Sequence, residues 1–325
     1  MSKTIKLASG REMPLVGFGT WKVPNENAAD TVYNAIKAGY RLFDGAYDYG
    51  NEKECGEGVQ RAINDGLVKR EDVFITSKLW NNYHKREHAL QMAKVSNDAW
   101  GLGYLDLYLI HFPVSLPYID PAKIRTPGWW QDEAQTIVKE DNVPIRETWE
   151  ALETLVDEGI TKSIGVSNFQ VQLLNDVYRY ARHPISALQI EHHPYLTQPN
   201  VIARAKEIGT AVTAYSSYGP QSFLELPTNF NKVAKSTGPL FEAEPVVKAA
   251  KAHGKDPGQI LLRWAVQHGI AVIPKSNNPD RLKSNLAVTD FELSDAELQA
   301  ISDLDRNLRF NDPSYQLPEH PLYIF

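Results

Sequence analysis

Short apolar runs recur along the chain, each followed by a stretch in which apolar residues return at helical spacing. The runs lie at 15–18, 40–43, 73–76, 105–110, 163–166, 187–190, 211–215 and 271–274. Between them the pattern changes period. Val32, Ala35 and Ile36 precede Gly39; Cys55, Val59, Ala62 and Ile63 follow Asn51; Ile145, Trp149, Leu152 and Val156 precede Gly159. Such spacing predicts helices over 28–38, from 51, over 85–100, 145–158, around Leu173–Tyr178, and over 200–208, 244–252 and 257–268. Further helices are predicted from Pro279 and from Ser294, before an irregular tail.

Strands that are apolar throughout are covered on both faces and are therefore parallel. Eight of them alternating with helices favour an α/β fold of the (β/α)8 barrel type over an open doubly wound sheet. Residues 5–7 and 12–14, around Ser9-Gly10-Arg11, read as a small N-terminal hairpin. Two long connections are predicted: 114–143, rich in Pro, Gly and Trp, and a second after Gly219-Pro220. A connection of that length is usually functional. The chain is read as one barrel domain over 1–325.

Composition narrows the classes. The net charge of −6 argues against a nucleic-acid or anionic membrane surface, since both require a basic face. No apolar run reaches the roughly 18 residues of a membrane span. The opening MSKTIKLASGREMP lacks an apolar signal core, and a cytoplasmic protein is expected. The lone Cys55 excludes an internal disulfide and sits on an apolar helix stripe.

In a parallel barrel the strand ends converge on one mouth, and the residues placed there are chemically unusual. Trp21, Asp44, Lys78, His111, Ser167 with Asn168, Tyr215 and Lys275 are predicted just past strand ends, and Gln189 inside a strand. Asp44, Tyr49, Lys78 and His111 read together as a proton-donating unit. A buried lysine requires an anion, which Asp44 supplies. An ammonium beside Tyr49 is expected to lower the phenol's pKa, readying it to protonate a carbonyl oxygen. Taken alone, Asp44 reads equally as a helix cap and His111 as a satisfied core histidine.

A proton donor becomes a reductase only with a hydride donor. The dinucleotide fingerprint G-x-G-x-x-G is absent, as Gly17-Phe18-Gly19 stops after two glycines. Other residues suit the task. Tyr215 can stack on a nicotinamide, Ser167, Asn168 and Gln189 can bind its carboxamide, and Ser216, Ser217, Gln221 and Ser222 suit a pyrophosphate. Lys275, Ser276, Asn277 and Arg281 place two cations at a helix start, where an adenosine 2′-phosphate would sit. Glu191-His192-His193 suggests a metal, but neighbours on a strand point opposite ways and no third ligand is spaced to join.

Three segments, GYRLFDGAYDYGNEKECGEG (39–58), LDLYLIHFP (105–113) and IPKSNNPDRLKSNL (273–286), together resemble the aldo-keto reductase superfamily. Asp48, EHHPYL (191–196), GPQSFLE (219–225) and LRFNDP (308–313) look most like the fungal and yeast xylose reductases. The resemblance implies a (β/α)8 barrel with a C-terminal substrate loop. It also implies carbonyl reduction with NADPH, NADH being the alternative, a tetrad of Asp44, Tyr49, Lys78 and His111, and Asn285 beside the adenosine phosphate. By the same likeness Asp48 and Asn311 bind sugar hydroxyls, Trp21, Trp80 and Phe112 wall the pocket, and Glu225 holds ribose hydroxyls. The implied substrate is an open-chain aldose, D-xylose and also L-arabinose. Alternatives are another sugar or aldehyde (a uronate, glyceraldehyde, an aromatic aldehyde) or a non-catalytic nucleotide-binding barrel. A monomer or homodimer is expected. Residues 95–103 and the last dozen depart from the pattern.

Overall fold

The computed structural model describes residues 3–317 and 319–325. A hairpin of β1 (Thr4–Lys6) and β2 (Glu12–Pro14) comes first. Eight parallel strands follow: β3 (Phe18–Gly19), β4 (Leu42–Asp44), β5 (Phe74–Leu79), β6 (Leu107–Ile110), β7 (Ile164–Ser167), β8 (Ala187–Glu191), β9 (Ala211–Tyr215) and β10 (Ala271–Val272). They pair in sequence order. Closure comes from a parallel bridge between Val16 and Val272, with Gly17 N–H donating to Val272 O at 2.8 Å and Val272 N–H to Leu15 O at 2.8 Å. The sheet is therefore a barrel, with no edge to protect.

The helices between and around the strands are α1 (Asn25–Ala38), α2 (Glu52–Asn64), α3 (Arg86–Trp100), α4 (Ile145–Asp157), α5 (Val171–Tyr180), α6 (Pro199–Glu207), α7 (Thr228–Ser236), α8 (Glu244–His253) and α9 (Pro257–Gln267). After β10 come α10 (Pro279–Leu286), α11 (Asp295–Ser302) and α12 (Pro313–Gln316). Local chemistry sets their ends. Gly39 adopts φ +115° and returns its N–H to Ala35 and Ile36 at the end of α1. Asp256 and Gln259 cap α9 reciprocally, as Ser294 and Glu297 cap α11.

The eight predicted strands are present, but two features differ. Asp44, Lys78, Ser167 and Tyr215 lie within strands rather than just past them. The strand backbone is satisfied by its neighbours, so a polar side chain there interrupts nothing so long as it points toward the barrel mouth. The second long connection contains α7, and the tail contains α12. The segment from β6 to α4 carries no helix or strand, as predicted. No helix of the described residues is long and apolar enough to cross a membrane.

The hairpin seals one end of the barrel. Arg11 from its loop and Arg70 each donate to Asp106, at 2.7 and 2.8 Å, and Ser9 Oγ meets Ser163 Oγ at 2.7 Å. Asp106 and Ser163 precede β6 and β7, so this is the N-terminal end. The opposite end stays open.

Candidate active site

At the open end Lys78 organises the floor. It has no exposed surface, and its Nζ donates to Asp44 Oδ1 at 2.6 Å, Gly45 O at 2.8 Å and Tyr49 Oη at 3.2 Å. Asp44 ends β4, Lys78 is in β5, and Tyr49 follows on the turn that Gly50 closes at φ +71°. The second Asp44 oxygen accepts from Gln189 Nε2 at 2.7 Å. His111, one residue past β6, sets its ring 5.9 Å from that of Tyr49 and 5.1 Å from Trp80. Three strands, β4, β5 and β6, thus bring one acid, one cation, one phenol and one imidazole to a single point.

Burial dominates the electrostatics. It pushes the Tyr49 phenol well above its ordinary value, and the charges of Asp44 and Asp48 add to the effect. It pushes the Lys78 ammonium down, against the pull of Asp44. His111 is held far below the usual imidazole range by burial and then by Lys78, so its ring is neutral near pH 7. The expectation that Lys78 would lower the Tyr49 pKa is not met here. The reason is first the burial of the phenol, and then Asp44, whose charge raises the pKa further and which, 2.6 Å from the ammonium, answers the cation. Asp48 is raised to about 7 by burial, opposed by a backbone hydrogen bond from Gly128.

Above this floor opens a cavity of about 990 Å³. Every residue expected from the sequence to act in catalysis, cofactor binding or sugar binding lines it except Lys78, which lies beneath. Trp80, Phe112 and Trp21 form walls beside Asp48 and Asn311. Along β9 and β10 the lining turns polar and ends in Lys275 and Arg281, the latter in the first turn of α10. Arg281 Nε donates to Ser276 Oγ at 3.3 Å. Ser217 Oγ and Gln221 Oε1 are buried without a hydrogen-bond partner among the described residues. Unpartnered polar groups bordering a cavity with two cations at its end fit a phosphate-bearing dinucleotide. Asn168 Nδ2 donates to His111 O and Ser167 Oγ, and Tyr215 Oη donates to Asn168 Oδ1 at 2.7 Å. Lys22, Asn168 and Ser216 line the cavity with positive φ (+62°, +64° and +53°), a conformation costly for non-glycine residues and concentrated at functional sites.

Among the lining residues not singled out from the sequence are Trp129, Phe223 and Lys22. Trp129 packs its ring 5.2 Å from Trp80 and 5.0 Å from Phe112, and Trp80 Nε1 donates to Gly128 O at 2.9 Å. The Pro-Gly-Trp-Trp run within the long connection was the available signal. Phe223 faces Trp21 at 6.2 Å. Lys22 carried no signal; it donates to Ser222 O at 2.8 Å and lies 3.6 Å from Glu225, tying the end of β3 to the loop after β9. Glu225 is thus paired with a cation, while its side chain stays mostly exposed. His193 and Glu191 bond to each other at 2.8 Å, and His192 stacks on Trp264. Among the described residues no three His, Cys, Asp or Glu are grouped to hold a metal ion.

The sequence model of the Aldo/keto reductase family matches residues 15–306. A probable NAD(P)H-dependent D-xylose reductase of Emericella nidulans is 59% identical, covering 97% of this chain and 98% of that protein. One of Aspergillus flavus is 58% identical over 96% of each. An NAD(P)H-dependent pentose reductase of Pyricularia oryzae is 57% identical over the full length of both. Among solved structures, a Bombyx mori aldo-keto reductase in complex with NADP superposes with TM-score 0.85 at 32% identity, covering 100% of this chain and 99% of that one. The aldose reductase of Schistosoma japonicum gives 0.86 at 34%, with the same coverage. Barrel, site and similarity agree, and this chain belongs to the aldo/keto reductase family.

Proposed function

We propose that the protein reduces open-chain aldoses, D-xylose foremost and L-arabinose as well, to alditols with NAD(P)H, preferring NADPH. The carrying observation is the Tyr49 hydroxyl, 3.2 Å from a buried lysine, on the floor of a cavity whose walls are aromatic and whose rim bears Asp48 and Asn311. A bound nicotinamide dinucleotide supplies the hydride that goes to the carbonyl carbon. Tyr49 gives its proton to the carbonyl oxygen. Lys78 steadies the phenolate left behind, Asp44 holds Lys78 charged, and neutral His111 orients the carbonyl.

The raised phenol pKa suits this role. Tyr49 keeps its proton at neutral pH and yields it only to an oxygen becoming an alkoxide, a far stronger base. Tyr215 supports the nicotinamide, with Ser167, Asn168 and Gln189 at its carboxamide. Ser216, Ser217, Gln221 and Ser222 hold the pyrophosphate. Lys275, Ser276, Asn277, Arg281 and Asn285 hold the adenosine phosphate. Asp48 and Asn311 bind sugar hydroxyls; a site that pairs hydroxyls discriminates against analogues lacking them. The working unit in this proposal is one barrel over 1–325, in the cytoplasm.

The test is loss of absorbance at 340 nm with D-xylose, run in parallel with NADPH and NADH. Xylose-dependent oxidation, faster with NADPH at limiting cofactor, is the expected result. Turnover of reactive aldehydes without xylose would remove the sugar claim and keep the tetrad. Tight cofactor binding with no turnover of any aldehyde would overturn the enzymatic reading.

A further inference from the structure

Glu191 ends β8 with no exposed surface, and the proposed reaction makes no direct use of it. Both oxygens of its carboxylate are engaged by a segment about 120 residues away. Oε1 accepts the Phe310 N–H at 2.9 Å and Oε2 the Asn311 N–H at 2.8 Å, while His193 Nε2 meets Oε1 at 2.8 Å. Its main-chain oxygen accepts from Gln198 Nε2 at 2.6 Å, and Gln198 Oε1 accepts from Arg309 at 3.0 Å. Burial alone would raise the carboxyl pKa. The His193 bond, the Arg309 charge and the Phe310 N–H outweigh it and keep the group an ionised acceptor.

The geometry continues into the cavity. Asn311 Nδ2 donates to Tyr215 Oη at 3.1 Å. Tyr215 is in turn the register partner of Glu191 across β8 and β9. One carboxylate therefore ties the backbone under Asn311 to the strand pair that carries Tyr215. We propose that Glu191 is a positioning residue for substrate choice: by gripping the N–H groups of Phe310 and Asn311, it sets the Asn311 amide where a sugar hydroxyl meets it. Two main-chain donors and an imidazole nitrogen call for a group with several acceptor sites, which a carboxylate offers and an amide does not. In Glu191→Gln one oxygen becomes an NH2 facing an N–H donor, and the loop shifts. The inference rests on the reading that Asn311 binds sugar hydroxyls.

The test uses the full-length enzyme with NADPH and two substrates, D-xylose and propanal, which has no hydroxyl. In Glu191→Gln, KM for xylose is expected to rise about tenfold, the loss of one charge-assisted hydrogen bond. The kcat/KM for propanal and the Kd for NADPH stay within about twofold. Amide hydrogen exchange quickens in 308–316 and not in the barrel strands. Arg309→Met, outside the cavity, moves the xylose KM the same way by less, and carries the test should Glu191→Gln not fold. Equal losses on both substrates, or an unchanged xylose KM in the folded variants, would overturn the proposal. Asn311→Ala separates the two readings. If it spares xylose, the hydroxyl reading falls and this inference with it; if it costs xylose while Glu191→Gln does not, this inference alone falls.

Discussion

Lys78 is the residue on which the site's chemistry depends, because an ammonium with no exposed surface persists only beside Asp44. In the proposed reaction its charge is used once, when Tyr49 becomes a phenolate. Tyr49→Phe removes the proton and leaves the ring, so kcat should fall by roughly 10²–10⁴ while NADPH affinity holds. Single-turnover rates and fluorescence titration check this, and near-wild-type turnover would refute the assignment. Asp48 makes a pH prediction. Its folded pKa, about 7, is raised, so the carboxyl is mostly protonated below that pH and ionised above it. The ionised form accepts hydroxyl protons more strongly. KM for xylose should therefore fall as pH rises through about 7, and Asp48→Asn should flatten that step. Tyr49 and His111 are shifted away from neutrality in opposite directions and should not mask it.

Strands are too short here to be stable singly; their close approach makes the barrel. Gly165 in β7 shows how close. A Cβ there would press on Ala187 O and come within 2.9 Å of Leu109 Cδ2. Gly165→Ala should destabilise by about 1–3 kcal/mol, read from urea unfolding, because the neighbouring backbone cannot move without opening the β7–β8 ladder. A mutant as stable as wild type would mean that the barrel wall yields there. The strands were legible because continuous apolar runs bounded by glycines read the same in sequence and in space. Helix α7 was not. Its apolar stripe is short, Phe230, Val233 and Ala234; only Ala234 is fully buried, and Asn231 is held by its bonds to Leu224 and Leu226, so a nine-residue helix inside a long connection was easily passed over.

Across the whole molecule the two barrel ends are built for different work. The N-terminal end is closed by the hairpin through Asp106, whose side chain is 1% exposed and paired with two arginines. Asp106→Asn leaves both guanidinium groups short of a charge. It should cost roughly 2–3 kcal/mol, discounted because Arg11 is partly exposed. Equilibrium unfolding measures that cost, and kcat for xylose should be unchanged. A parallel loss of kcat would show that the two ends are coupled.

By itself the sequence determined the alternation of strand and helix, hence a parallel barrel, and the chemical types at its mouth. Both are local properties: hydrophobic period and residue identity need no knowledge of distant partners. The tertiary structure alone decided the rest. It raised the Tyr49 pKa that the sequence reading would lower, because burial and the Asp44–Lys78 pair arise only where β4 and β5 meet inside the barrel. It brought Trp129 against Trp80, paired Lys22 with Glu225, and laid the Asn311 backbone on Glu191. These contacts join residues tens to hundreds of positions apart, and a linear pattern carries no distance between them until the barrel closes.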